Sequence, residues 1–178
     1  MLLSLETPVL FQICSANTQL SHICEDEYFW ELKVEELHLN ILKPTNRSWK
    51  QHYMILTSSK KVTVIYCEFL RDIIIKYTDT INQVLNKAND ILHWNPFADS
   101  QSNPLSNIRR ISFKDKNGNP VISVVISVVI PILNQGINGS ITYQGVDPNQ
   151  YIGDNLFLIN SIEYIPNAFQ CNMMRAFG

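Results

Sequence analysis

Asp26-Glu27-Tyr28-Phe29-Trp30-Glu31-Leu32-Lys33 decides how the front of this chain is read. Asp26 suits an N-cap, where a short side-chain oxygen accepts from a free N–H of the first turn. Phe29, Trp30, Leu32, Lys33 and Val34 then follow on a short helix. Upstream, Asn17 or Thr18 can cap a second helix with Leu20, Ile23 and Cys24 on one face. Before that, Thr7 reads as an N-cap and Pro8 as the first helical residue, where its missing N–H costs nothing. Val9, Leu10, Ile13 and Cys14 recur behind them at helical spacing. Downstream, Lys43-Pro44 breaks the chain. Ser48 then caps a fourth helix, with Gln51 at capping-box spacing and Trp49, Tyr53 and Leu56 on its apolar face. The first 57 residues therefore read as a small helical module with no room for a catalytic centre, and residues 58–178 as a second domain.

In that second part, Leu70, Ile74, Tyr77, Ile81, Val84, Ala88 and Ile91 step by three and four, which predicts a long helix over 67–93 that buries its stripe against its own domain. Residues 63–67 are β-branched enough to be a strand or the start of that helix; helix is favoured. Trp94 to Asn107 reads as a loop. The period then falls to two: Ile108, Arg110 and Ser112 share one side, Arg109, Ile111 and Phe113 the other. Asn117-Gly118 is a hairpin turn signal. Val121 to Ile130 repeats a four-residue unit, which places Ile122, Val124, Ile126, Val128 and Ile130 on one strand face. Ser140–Tyr143 and Leu156–Tyr164 are further strand candidates. The fold class is α+β: a short helical module, a long helix, then a small antiparallel β-rich unit.

Composition excludes several functions. The net charge is −2, so no basic face supports nucleic-acid binding. No apolar run is long enough to span a bilayer. Met1-Leu2-Leu3-Ser4-Leu5-Glu6 lacks the basic start of a signal peptide, so the chain reads as soluble and intracellular, cytoplasmic or nuclear. Cys14, Cys24, Cys67 and Cys171 include no Cys-x-x-Cys pair; Cys14 and Cys24, at apolar helix positions, read as buried reduced thiols rather than a disulfide or zinc site. His22, His38, His52 and His93 have no metal-ligating spacing. The run Glu25, Asp26, Glu27 with Glu31, Glu35 and Glu36 reads as a solvated acidic face rather than a catalytic acid pair. Neither a phosphate-cradling glycine loop nor a Gly-x-Ser-x-Gly elbow occurs. Asp147-Pro148-Asn149 and Gly153-Asp154-Asn155 lack a calcium ligand series and read as turns. The expectation is a non-enzyme with no cofactor and no metal.

Asn17-x-x-Leu20-x-x-Ile23-Cys24 followed by Asp26 to Lys33 resembles the second half of an F-box. Lys43-Pro44 with Ser48-Trp49-Lys50-x-x-Tyr53-x-x-Leu56 is similar to the ending of F-box-like regions in elongin A and in proteins of large DNA viruses. The resemblance covers residues 1–57, a third of the chain, and the family's opening helix is reduced here to Met1–Leu5. It implies a substrate adaptor of a cullin-type ubiquitin ligase, working by proximity on an unknown target, in a host cell if the chain is viral. The implied partner is the cullin-ligase linker subunit or elongin C, met by Leu2, Leu5, Pro8, Leu10, Ile13, Leu20 and Ile23. Cys14, Cys24, Phe29, Trp30, Leu32, Trp49 and Tyr53 would form the module core. The alternative is a structural or interaction protein whose F-box-like fold is a relic that binds no ligase.

Overall fold

The computed structural model describes residues 5–66, 69–92, 108–129 and 140–165. The chain divides into two compact units, Met1–Ser58 and Ser59–Gly178. Together they mix helix and sheet, the first unit helical and the second built on a sheet. The expectations for Leu2, Cys67, His93 and the 94–107 loop lie outside the described residues.

Among its described residues the first unit holds four short helices: α1 (Thr7–Ala16), α2 (Thr18–Glu25), α3 (Glu27–Glu35) and α4 (Trp49–Leu56). Their starts follow local chemistry. Asp26 caps α3 by accepting from the Tyr28 N–H. Asn17 Oδ1 accepts from the Leu20 N–H at the start of α2. Ser48 and Gln51 close a reciprocal capping box on α4. At α1 the expectation is off by one residue: Glu6 occupies the cap and Thr7 is already helical, since extended backbone at Glu6 precedes the turn. Glu27 Oε2 accepts from the Trp49 N–H (2.6 Å), fastening α3 to the start of α4. A carboxylate is also favoured there by the partial positive charge of a helix N-terminus.

Trp30 is the centre of this unit. It is fully buried, stacks near Phe11 (5.8 Å between ring centroids), meets Phe29 edge-on (5.3 Å) and leans on Tyr53 (5.3 Å). Its Nε1–H donates to the Cys24 carbonyl at 2.8 Å, so the indole buries its polar atom without penalty. Cys14 and Cys24 are joined by a disulfide, with Cα atoms 6.1 Å apart. This corrects the reading of both as reduced thiols: the reversal of the chain between α1 and α2 brings two distant turns to bonding distance.

The second unit is a six-stranded sheet in the order β2-β1-β6-β3-β4-β5. Its strands are β1 (Ser59–Tyr66), β2 (Phe69–Lys76), β3 (Ile108–Lys114), β4 (Pro120–Val129), β5 (Ser140–Gln144) and β6 (Ser161–Ile165). The long helix expected over 67–93 is not formed. Its first half is the strand β2, paired antiparallel with β1, and only α5 (Ile81–Leu92) is helical. The burial settles which period governs: Ile75 is 0% exposed beside Ile74 at 62%, an alternation of two. The run Ile73-Ile74-Ile75 is β-branched and fits a pleated surface better than a helix. The sheet is not purely antiparallel either, because β6 runs parallel to β1, with Thr63 opposite Ser161 and Tyr66 opposite Tyr164. The front of the strand candidate Leu156–Tyr164 is not strand: Asn155–Leu158 form the short helix α6, and only Ser161–Ile165 are β6.

The core of the unit lies between α5 and one sheet face. Ile81, Val84, Leu85 and Ala88 face Val62, Val64, Ile75, Ile111, Phe113 and Ile162 from the buried side. Two phenols cross to the helix: Tyr143 Oη donates to Asn82 Oδ1 (2.7 Å), and Tyr164 Oη donates to Asn89 Oδ1. Asn82 and Asn89 lie seven residues apart and so on one helix face. The Asn117-Gly118 turn joins β3 to β4, as its sequence predicts, with Gly118 at φ +81° and Asp115 accepting from the Asn117 and Asn119 N–H groups.

Candidate partner-binding surface

The first unit sorts its apolar residues into a sealed centre and an uncovered remainder. Phe29, Trp30, Val34, Tyr53, Leu56, Leu10 and Cys24 are buried. Cys14, Leu32 and Trp49 are half-buried. Of the residues that the F-box resemblance assigns to docking, Pro8 and Ile23 are exposed, while Leu5, Ile13 and Leu20 are half-buried. Leu10 is corrected: it has no exposed surface, because α1 buries that side of itself in the core of the unit, and it cannot meet a partner in this state.

Leu42, between α3 and α4, is 89% exposed; on the helices themselves the exposed apolar side chains that sequence reasoning missed are Val9 at 41%, Tyr28 at 64% and Met54, about half exposed. Each sits next to a residue of the buried set along its helix. A face-by-face division of α1, α3 and α4 would have found them, whereas reading the whole apolar set as one stripe hid them. With Ile23 at 38%, every one of the four helices presents an uncovered apolar residue. The chemistry available is apolar contact. Two cations of the unit are already engaged: Lys33 Nζ donates to the Leu5 carbonyl (3.2 Å) and pairs with Glu36 (3.5 Å), and Lys43 Nζ donates to the Arg47 carbonyl (2.7 Å) while lying over the Trp49 ring (5.1 Å).

His52 is the unusual polar residue of this unit. It is buried in α4 against Trp49 (6.2 Å between rings), and among the described residues neither ring nitrogen finds a hydrogen-bond partner. Burial holds its pKa below the usual 6.5; the Ile41 carbonyl, short of hydrogen-bond geometry, pulls the other way, and the positive charges of Arg47 and Lys43 add to the lowering. The imidazole is therefore neutral at physiological pH and is a core group, as inaccessible to substrate as Leu10.

The second unit offers less. A cavity of about 210 Å³ is lined by Ile81, Val121, Ile122, Gln150, Tyr151 and Asn155, among others, with no charged side chain. That is below the roughly 300–1,000 Å³ of ordinary small-molecule sites. The donors at the α5 N-terminus are occupied, Ile81 N–H by the Gln150 carbonyl and Asn82 N–H by the Pro148 carbonyl. The open sheet face carries ion pairs: Lys61 with Asp72 (2.7 Å), and Lys114 with Glu163. Lys61, then Thr63, hold the Asp72 carboxyl below the usual range. The edge strand β2 is guarded by cations: Arg71 Nη1 donates to the Leu70 carbonyl (2.9 Å) and Lys87 Nζ to the Ile74 carbonyl (3.3 Å), the kind of capping that discourages strand addition.

Among the described residues, no group of three or more His, Cys, Asp or Glu side chains could hold a metal ion. Nor is any described helix long and apolar enough to cross a membrane. Set against protein families, curated proteins and solved structures, the chain has no match.

Proposed function

We propose that the first unit is an F-box-like docking module and that the chain is a substrate adaptor of a cullin-type ubiquitin ligase. In this reading the helices grip the linker subunit or elongin C, and the sheet unit presents a target protein. The chain catalyses nothing; it raises the effective concentration of target near the ligase. The observation that carries the reading is a separate helical unit, closed around Trp30, that still leaves Val9, Ile23, Tyr28 and Met54 uncovered. Exposed apolar groups on so small a unit are suited to burial against another polypeptide.

The test is capture of purified linker subunit and of purified elongin C by the tagged full chain. Val9→Asp with Ile23→Asp should abolish capture while leaving the far-UV circular dichroism unchanged, because both side chains are exposed. Failure of the native chain to capture either subunit refutes the adaptor reading. It favours the second one, an interaction protein whose F-box-like fold is a relic that binds no ligase.

A further inference from the structure

We propose that the Cys14–Cys24 disulfide is a thiol-controlled clasp that fixes α2 to α1 and thereby sets the apolar surface those helices present. The clasp itself stands on the geometry of the first unit; only its effect on docking rests on the adaptor reading.

Helix α2 is held in place by little else. It has eight residues, too few to be stable alone in water. Among its described side chains only Cys24 is buried; Leu20 and Ser21 are half-buried and the rest are exposed. Cys24 is thus where α2 enters the core, once through its sulfur to Cys14 and once through its carbonyl, which accepts the Trp30 Nε1–H. Ile23, one of the exposed apolar residues, is its immediate neighbour, and Val9 lies on the helix at the other end of the bond. Cutting the bond therefore frees Ile23 to move relative to Val9.

The two cysteines are not equally buried. Cys24 is buried and Cys14 half-buried, so a reductant reaches Cys14 first. The thiolate of a dithiol attacks Cys14 Sγ, forming a mixed disulfide, and the S–S bond breaks with its electron pair on Cys24, which takes a proton. The second thiol of the reductant then displaces Cys14 as its thiol. Two electrons pass to the protein and the dithiol leaves as a cyclic disulfide. Closing a loop of ten residues in sequence restricts the open state enough to shift the opening equilibrium roughly a hundredfold.

The experiment uses the full chain in oxidised and reduced dithiothreitol buffers, with hydrogen exchange read by mass spectrometry. Peptides of α1 and α2 should exchange roughly a hundredfold faster on reduction, while those of α5 do not change. Cys14→Ala should exchange at the fast rate in both buffers. A non-reduced digest of the oxidised chain that lacks the Cys14–Cys24 cross-link, or pairs either residue with Cys67 or Cys171, overturns the proposal. So does exchange in α1 and α2 that moves less than about threefold on reduction in the native chain, a measurement that needs no variant to fold. Equal partner capture in both buffers, with exchange changing as expected, leaves the clasp intact and removes only its role in docking. If the chain captures neither ligase subunit in either buffer, the adaptor reading fails while the exchange result still decides the clasp.

Discussion

Replacing Trp30 with phenylalanine tests the organisation of the first unit most directly. The substitution keeps an aromatic ring in the cluster of Phe11, Phe29 and Tyr53 but removes the Nε1–H that the Cys24 carbonyl accepts. Trimming an indole to a phenyl loses on the order of 35 Å² of buried surface, about 1 kcal/mol. The orphaned carbonyl adds about 1–3 kcal/mol, since water cannot reach it. The sum is about 2–4 kcal/mol. A unit of this size has roughly 3–9 kcal/mol of stability in total, so much of it is lost. The readout is hydrogen exchange in the full chain, where amides of α1 to α4 should lose protection by at least tenfold and those of α5 should keep theirs. Phe11→Leu is the control: it removes one ring contact, about 0.5–1.5 kcal/mol, and leaves the hydrogen bond in place. Exchange in Trp30→Phe that changes less than about fivefold, or no more than in Phe11→Leu, would refute the central role given to the indole.

Three further outcomes follow from the geometry. Ile75→Ala should cost about 2–5 kcal/mol in urea unfolding and Ile74→Ala less than about 1, whereas a helical stripe through Leu70, Ile74 and Tyr77 requires the reverse order. Tyr164→Phe leaves Asn89 Oδ1 without its phenol and should destabilise the second unit by about 1–2 kcal/mol, read from the urea midpoint. For His52 the folded pKa lies below 6.5, so the unfolded chain takes up the proton first: its contribution is complete above about pH 6.5 and is lost as the pH falls below that toward the folded value. Unfolding midpoints of the first unit at pH 7.5 and 5.5 should therefore differ more in the native chain than in His52→Phe, and an equal difference in the two would count against the buried imidazole.

The helical unit was legible because its signals are local. Ser48 and Gln51 form the capping box their spacing announces, and Asp26 caps α3 through the Tyr28 N–H. The β3–β4 hairpin was equally plain, since Asn117-Gly118 supplies the positive φ its turn needs. What failed was non-local. Residues 70–77 carry both periods at once: Ile74 belongs to a three-four stripe and Ile75 to an alternation, and only pairing with β1 decides between them. The parallel pairing of β6 with β1 joins segments with no shared local signal. The Cys14–Cys24 bond was missed for a related reason, because an apolar position on each helix says nothing of the turn that brings the two together. On the candidate surface, Pro8 and Ile23 lie exposed but Leu10 does not, since sequence spacing marks an apolar face without saying what covers it.

The β1–β6 pairing also constrains the order of events during synthesis. Thr63 meets Ser161, about a hundred residues later, and β6 then lies between β1 and β3 in the middle of the sheet. Until β6 leaves the ribosome, the β1–β2 hairpin, even with α5 behind it, and the β3–β4 hairpin have no strand to bridge them, and the core they share stays incomplete. Unit one has all four of its helices out long before then. A nascent chain should therefore carry a finished front end and a waiting back end, with chaperone demand concentrated on the second.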